Sequence, residues 1–241
     1  MIYVRPQGGL CNAIRVMLSA YTLNLHTNNC ALLWYPDYPH VPFTYGEIFD
    51  TNIIEHIYNY LPNVNNRYTD IVKEYTLNDF INVNGNILID SCVSFIPFDK
   101  ELYKLIKFKQ EYIDIAKTII IHDNIIGVHI RRSDFVSDGF PISNTEDFIH
   151  HINTEIQNDP TVKFFIATDD KSTEDVLLNM FGDKIIVYSK INGYNRYSQL
   201  YVKDGIIDLL CLSYCKKIYG SKVSSYTTAA SGLNGVELVI V

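Results

Sequence analysis

The chain has 241 residues, of which 47% are hydrophobic and 20% are charged, and its formal net charge is −7. This composition is typical of a globular protein with a sizeable core, built as one large domain or two small ones. The negative balance argues against a general nucleic-acid surface, because no basic stripe is available to replace counterions along a phosphate backbone. Any anionic ligand is therefore expected to bind at a confined site and not along an extended basic surface.

The first half of the sequence alternates predicted strands and helices. Strands are predicted at residues 2–5, 30–35 and 87–92, and helices at about 11–25 and 99–121, the second of them broken near 107–110. Residues 36–42 contain three prolines and are predicted to form an irregular loop, since proline removes a hydrogen-bond donor from a strand. Residues 51–86 are rich in Asn and Tyr without a clear period, and no element is predicted there.

The second half has a cleaner pattern. Strands are predicted at residues 126–131, 163–168, 185–188, 217–220 and 236–241, and helices at 145–157, 172–181, 200–215 and 225–231. Strands that alternate with helices of this size indicate an α/β fold with parallel sheets and right-handed crossovers. The pattern permits either one doubly wound sheet or two separate lobes.

A glycine turn joins the first strand to the first helix, which is where Rossmann folds bind a pyrophosphate. Residues 8–12 (GGLCN) do not match G-x-G-x-x-G, and the second strand does not end in an acid that could read a ribose. A nicotinamide role is therefore not expected. A glycine at such a turn can also serve only to turn the chain sharply.

The most informative stretch is residues 127–134 (GVHIRRSD), where an apolar strand ends in two arginines and an aspartate. Side chains alternate along a strand, so His129 and Arg131 share one face and Arg132 takes the other. Arg131 is predicted to enter the ligand crevice at the carboxyl end of the sheet and to grip a phosphate or diphosphate. Arg132 is predicted to anchor the loop, with Asp134 as its partner. The alternative is a solvated charge cluster at a strand end.

Two carboxylates, Asp169 and Asp170, follow the strand at 163–168. Adjacent carboxylates at such a position can bind a divalent metal. The favoured interpretation is that Asp170 caps the helix beginning near residue 171 or 172, and that Asp169 holds a nearby cation or hydroxyl.

Two further polar positions lie near the end of the chain. Asp208 opens the apolar part of a helix in otherwise apolar surroundings, where an acid can simply interact with the helix dipole. Ser224 and Ser225 open the last helix, so their hydroxyls and backbone N–H groups can form an anion site, although as plain caps they need no ligand.

Taken in order, these segments resemble the motifs of the fucosyltransferase superfamily, which comprises α1,2-, α1,6- and protein O-fucosyltransferases. Residues 8–15 resemble its G-x-G-N-x-x-R loop, residues 127–134 its H-x-R-R-x-D strand end, and residues 164–170 its A-T-D-D strand. Residues 208–225 resemble its D-x-x-x-L-S-x-C segment with the G-S-x-x-S-S that follows. The matches run through nearly the whole chain.

The resemblance implies a GT-B-like α/β fold, with two Rossmann-like lobes that contain parallel sheets and are separated by a cleft. We place the lobes at residues 1–121, on the probable acceptor side, and 122–241, which is expected to bind the nucleotide sugar. The implied activity is transfer of fucose from GDP-fucose to a glycan or other hydroxyl acceptor, with inversion and without a metal or other cofactor.

The resemblance also implies roles for individual residues. Arg131 stabilises the charge on the departing β-phosphate, and Asp208 accepts hydrogen bonds from the edge of the guanine base. The other implied donor-binding residues are Gly9, Asn12, His129, Asp169, Ser224 and Ser225. The general base is chosen among Asp138, Asp134 and a carboxylate of the first lobe, with Asp138 preferred. A match of Arg196 to a recurrent arginine of the family is looser.

The cysteines and the chain ends bear on the compartment. The five cysteines form no C-x-x-C pair and have no histidine at metal-ligand spacing, so no zinc site is expected. Their odd number indicates reduced thiols. Without a signal peptide or an apolar span of membrane length, a cytoplasmic location and no integral membrane segment are expected.

Two other functions remain open from the sequence. One is a related glycosyltransferase that uses another donor, such as GDP-mannose or a UDP sugar. The other is a carbohydrate- or nucleotide-binding module without catalytic activity. The acceptor is not indicated by any motif.

Overall fold

The computed structural model describes residues 1–35, 41–68, 75–81, 84–132, 139, 142–190 and 199–241. The chain divides into two compact units, Met1–Lys109 and Gln110–Val241. Each unit has its own five-stranded sheet flanked by helices.

The first unit is built on a parallel sheet with the strand order β3-β2-β1-β5-β4. Its elements are β1 (Ile2–Pro6), α1 (Leu10–Thr27), β2 (Cys30–Leu33), α2 (Tyr45–Ile48), β3 (Ile57–Tyr58), β4 (Asn66–Tyr68), α3 (Asn78–Ile81), β5 (Ile87–Ser91) and a 3₁₀ helix (Lys100–Leu105).

The core of this unit lies between α1 and the central strands. Every residue of β2 and β5 is buried, as expected for strands covered on both faces of a parallel sheet. Ile14 and Leu18, one helical turn apart on α1, are fully buried. The helix ends at Asn28, whose φ of 47° is the left-handed conformation common just after a helix.

The second unit has a parallel sheet with the strand order β10-β9-β6-β7-β8. Its elements are α4 (Gln110–Ile119), β6 (Ile125–Ile130), α5 (Thr145–Asn158), β7 (Lys163–Thr168), α6 (Lys171–Phe181), a 3₁₀ helix (Gly182–Lys184), β8 (Ile185–Val187), α7 (Gln199–Ser213), β9 (Lys217–Gly220), α8 (Ser225–Asn234) and β10 (Glu237–Ile240).

The central strand β6 is buried along its whole length and shares one apolar core with β7, α5 and α6. Helix α4 packs on α7, where the buried Cys211 Sγ lies 3.9 Å from the Ala116 carbonyl oxygen. Because α4 belongs to the second unit, the division between units falls earlier in the chain than the boundary predicted at residue 121.

The α/β class and the parallel sheets predicted from the sequence are confirmed, and the described residues form two sheets instead of one doubly wound sheet. The predicted break in the helix at 99–121 is also confirmed, since a 3₁₀ helix and α4 occupy that region. The cleft between the lobes stays a prediction. Within the described ranges, no helix combines the length and the apolar character needed to cross a membrane.

Candidate functional site

Polar residues gather at the carboxyl ends of neighbouring strands in the second sheet. Arg131 follows β6, Asp169 follows β7, and Ser221 follows β9. Because β6 pairs in parallel with both β7 and β9, these three residues lie along one edge of the sheet. This is the edge at which open α/β sheets bind their ligands.

Arg131 is held at this edge by Asp169. Its guanidinium donates from Nη1 to Asp169 Oδ2, and its backbone N–H donates to Ser221 Oγ over 2.9 Å. The second carboxylate oxygen, Asp169 Oδ1, accepts from the backbone N–H of Arg132 at 2.7 Å. The Asp169 side chain is 7% exposed and that of Arg131 is 18% exposed. Asp169 thus orients a guanidinium that still reaches solvent, and the prediction that it holds a nearby cation is confirmed.

Arg132 points to a different set of partners. Its guanidinium donates to the carbonyl oxygen of Ser143 at 2.8 Å and to Thr145 Oγ1 at 2.6 Å. These contacts tie the end of β6 to the start of α5, which is the anchoring role predicted for Arg132. The partner predicted for it, Asp134, lies outside the described residues.

His129 links β6 to α8. Its Nδ1 lies 2.6 Å from Thr227 Oγ1, and its ring stacks on Tyr226 with 4.8 Å between centroids. Burial, assisted by the positive charge of Arg131, lowers the pKa of His129 to about 3. The imidazole is therefore neutral at physiological pH and acts as a hydrogen-bonding and packing group that fixes α8 against β6.

The loop from β9 into α8 has an unusual backbone. Val223 has a φ of 55°, which is rare for a β-branched residue, and its side chain is exposed. A Cβ at Gly220 would collide with the side chain of Thr227, so glycine is needed for α8 to lie this close to β9. Ser224 caps α8 and Ser225 is its first residue, as predicted.

Asp170 is a helix cap. Its Oδ2 accepts from the Thr173 backbone N–H at 2.8 Å, from Thr173 Oγ1 at 2.7 Å and from Ser172 Oγ at 2.6 Å. The prediction that it caps the following helix is confirmed. Within the described part of the chain, no group of His, Cys, Asp or Glu side chains has the arrangement of a metal site.

Asp208 belongs to a buried acid cluster, which we define as Glu174, Lys190, Asp204 and Asp208. Lys190 Nζ lies 3.2 Å from Asp208 Oδ2 and 3.7 Å from Glu174 Oε2, and all three side chains are at least nine-tenths buried. Asp204, one turn before Asp208 on α7, is also buried. The expectation that Asp208 has apolar surroundings is therefore wrong.

The electrostatics of this cluster are dominated by burial. Removal from water raises the pKa of Asp208 to about 7, and the charges of Glu174 and Asp204 add to the rise while Lys190 opposes it. Asp208 Oδ1 is buried and accepts no hydrogen bond from any residue that the structure describes. The cluster thus has a carboxylate oxygen in need of a donor.

The predicted glycine turn of the first unit is present. Gly8 has a φ of +81°, and a Cβ there would lie 2.7 Å from Asn12 Nδ2, so the turn requires glycine. Gly9 is the N-cap of α1 and makes no side-chain capping bond. Arg15, on the next turn of α1, donates from Nε and Nη2 to the carbonyl oxygen of Cys92, at 2.9 and 2.6 Å, and so fixes α1 to the end of β5.

An ion pair in the first unit was not predicted from the sequence. Arg5 Nε and Nη2 donate to the two carboxylate oxygens of Asp90, at 2.5 and 2.9 Å, and the two residues are register partners in β1 and β5. Arg5 also lines a small pocket with Trp34, Tyr35 and Val41. Asp90 is a carboxylate near the carboxyl end of the first sheet.

Comparison with known proteins gives a structural likeness only. No protein-family model and no curated protein matches the sequence. NodZ α-1,6-fucosyltransferase soaked with GDP-fucose matches with a TM-score of 0.66 at 17% identity, over 96% of this chain and 92% of that chain. NodZ from Bradyrhizobium has also been solved, with a TM-score of 0.65 at 16% identity, over 95% of this chain and 91% of that one. POFUT1 in complex with GDP-fucose matches with a TM-score of 0.63 at 12% identity, over 99% of this chain and 97% of that one.

The chain has the fold of these fucosyltransferases. The GT-B-like α/β fold expected from the sequence is therefore confirmed. Several predictions lie outside the described residues, namely the roles of Asp134, Asp138 and Arg196 and most of the irregular loop at 36–42. The ligand-binding roles given to Gly9, Asn12, His129, Arg131, Asp169, Asp208, Ser224 and Ser225 stay predictions.

Proposed function

We propose that this protein is a glycosyltransferase that transfers fucose from GDP-fucose to a hydroxyl group of a glycan or related acceptor. The observation that carries the proposal is the Arg131 guanidinium, oriented by Asp169 at the ligand edge of the second sheet. The fold supports the same function, since NodZ and POFUT1 are fucosyltransferases that have been crystallised with GDP-fucose.

The diphosphate of the donor is assigned to the region between Arg131 and the start of α8. A guanidinium has a planar fork of donors that matches phosphate oxygens, and the backbone N–H groups of Ser224 and Ser225 lie where a helix dipole favours an anion. In this proposal Arg131 supplies the charge neutralisation that a divalent metal supplies in other glycosyltransferases, so the reaction needs no metal.

The guanine base is assigned to Asp208. Guanine presents two parallel N–H donors on one edge, whereas adenine presents an amino group and uracil a single ring N–H. In the buried acid cluster the Lys190 ammonium lies between the carboxylates of Glu174 and Asp208, the Asp204 carboxyl adds a third acid nearby, and Asp208 Oδ1 accepts from no described residue. A base with two adjacent donors suits this excess of acceptors better than the other bases do.

The proposed chemistry is a direct displacement at the anomeric carbon of fucose. The acceptor hydroxyl attacks from the face opposite the nucleotide, the bond between that carbon and the β-phosphate oxygen breaks, and the configuration inverts. Arg131 stabilises the charge that develops on the β-phosphate, a contribution of roughly 3 kcal/mol for a well-placed donor. The hydroxyl proton goes to Asp138 in the preferred assignment, or to Asp134, and an oxocarbenium-like transition state needs only a weak base.

The first unit is assigned to the acceptor, with Gly9 and Asn12 reaching the donor. We place the protein in the cytoplasm, because the odd number of cysteines indicates reduced thiols.

A nucleotide screen tests the donor assignment. GDP is expected to raise the melting temperature more than UDP or ADP does, because only guanine offers two donors to Asp208, and excess chelator is expected to leave the shift unchanged. Equal shifts with all three nucleotides would remove the guanine assignment. Release of the sugar from GDP-fucose, without release of the sugar from GDP-mannose or from UDP sugars, then separates the proposed enzyme from glycosyltransferases that use another donor and from a binding module.

A single substitution tests the base. Asp138→Asn removes the charge and the proton affinity at nearly constant shape, so transfer is expected to fall about 100-fold while the GDP-induced shift persists. Unchanged transfer across the pH range would move the role to Asp134 or to a carboxylate of the first unit.

A further inference from the structure

Lys190 is a buried cation in a place where no sequence motif marks one. Its side chain is only 5% exposed, and it lies between the carboxylates of Glu174 and Asp208. An ammonium group loses much hydration energy in such a place and persists only when it is closely paired. Its position therefore requires an explanation beyond a surface ion pair.

The two acids do not share Lys190 equally. The distance from Nζ to Asp208 Oδ2 is 3.2 Å, against 3.7 Å to Glu174 Oε2. Glu174 has a second cation, because Lys171 Nζ reaches its Oε1 at 2.9 Å from the solvent side. Of these two carboxylates, Asp208 is thus the nearer to Lys190, and Glu174 is also paired with Lys171.

Lys190 contacts one oxygen of Asp208 and leaves the other to a ligand. Oδ2 faces the ammonium, while Oδ1 is buried and accepts no hydrogen bond from the described residues. A buried carboxylate oxygen in this state favours a ligand that brings an N–H donor. Since Oδ1 is also closed off from solvent, a base reaches it only after its surroundings move apart.

We propose that Lys190 is a positioning and specificity residue of the guanine site. It holds Asp208 Oδ2 and keeps the carboxylate ionised, so that Oδ1, with its two lone pairs, accepts from both N–H donors of the base. The inference rests on the proposed use of a guanine nucleotide. In this proposal Lys190 does not bind the base itself and acts on it through Asp208.

The neighbouring groups make this role necessary. Asp208 faces Glu174 from α6, Lys190 from the segment after β8, and Asp204 and Cys211 from its own helix. Tyr188, hydrogen-bonded to Asp204, is also close enough for Asp208 to raise its pKa. Among these groups only Lys190 lowers the pKa of Asp208, and burial still raises that pKa to about 7. A protonated Asp208 accepts poorly from guanine, so donor affinity is expected to fall as the pH drops below about 7.

The test is the pH dependence of GDP affinity, measured by calorimetry between about pH 5.5 and about pH 9. In Lys190→Met, Asp208 keeps its proton to higher pH, so the midpoint of the affinity profile is expected to move up by about one pH unit or more. In Glu174→Gln, a charge that favours protonation is removed, and the midpoint is expected to move down. Lys190→Arg keeps the charge and is expected to stay near the wild-type midpoint.

Lys171→Met is the matched control, because Lys171 also pairs with Glu174 but is about half exposed, and solvent screens its charge. Its midpoint is expected to coincide with that of the wild type. Titration of the diphosphate is common to all variants and cancels in the comparison.

The outcomes separate the two proposals. Wild-type protein that does not bind GDP would overturn the proposed function. GDP binding with one midpoint for all variants, or an equal loss of affinity at every pH in Lys190→Met, would overturn only the role of Lys190. If Lys190→Met does not fold, Lys190→Gln and Lys190→Arg decide the question, because only the arginine is expected to keep the wild-type midpoint.

Discussion

Each unit contains an arginine–aspartate pair near the carboxyl ends of its strands, and the two pairs are built differently. Arg5 meets both oxygens of Asp90 side by side, across two neighbouring strands. Asp169 instead accepts a hydrogen bond from the Arg131 guanidinium with one oxygen, and from the backbone N–H of Arg132, just after β6, with the other. The first geometry joins two strands, and the second orients a partly exposed guanidinium at the carboxyl end of the sheet. The same two residue types thus join strands in one unit and orient a side chain in the other.

The largest effect is expected from Arg131→Lys. Lysine keeps the charge but loses the planar fork, so transfer from GDP-fucose is expected to fall by roughly 100-fold or more, while the unfolding temperature changes little. Steady-state transfer and thermal unfolding measure the two quantities. Arg5→Lys is the control, and its GDP-induced shift is expected to match that of the wild type. Near-normal turnover in Arg131→Lys would show that the diphosphate is bound elsewhere.

The next effect concerns stability. Asp90→Asn removes the carboxylate charge that pairs with Arg5, and a loss of about 1–3 kcal/mol in the free energy of unfolding is expected. The loss is below that for a fully buried pair because Arg5 reaches solvent. Urea unfolding measures this loss. The GDP-induced thermal shift is expected to persist. If that shift disappears in a folded Asp90→Asn protein, the contrast between the two pairs does not hold.

The smallest effect extends the comparison to the buried acid cluster. The folded-state pKa of Asp208, about 7, lies above its unfolded value, so its contribution to stability is complete below about pH 4 and is lost as the pH rises through 7. Asp208→Asn avoids this loss. Without nucleotide, the melting temperature of Asp208→Asn minus that of the wild type is therefore expected to increase by a few degrees between about pH 5 and pH 8. A difference that is constant with pH would mean that Asp208 is ionised throughout.

The second unit was largely predictable from the sequence, because its central strands are continuous apolar runs and its polar residues stand at their ends. The strand at 126–131 and the cap at Asp170 follow directly from such local patterns. The first unit was harder, since β3 and β4 have two and three residues and contain too little sequence for a period to appear.

The ionic contacts are features that local sequence patterns do not predict. The pairing of Arg5 with Asp90 depends on the register of two strands that are distant in sequence. Lys190 meets Asp208 only through the packing of α7 against the segment after β8. Both contacts are tertiary, so no spacing along the chain reveals them, although the acids at Asp204 and Asp208, one helical turn apart on an apolar helix, were a signal that further charge had to be nearby.

Val223 is a position at which a substitution is expected to stabilise the protein. Its left-handed backbone is unfavourable for a branched side chain, and that side chain lies in solvent, so it gains little from packing. Asparagine tolerates this conformation at much lower cost and, unlike glycine, does not loosen the unfolded chain. A library selected for thermal tolerance is therefore expected to enrich asparagine at residue 223, and the loop beside the proposed diphosphate site would become more robust without a change in its course.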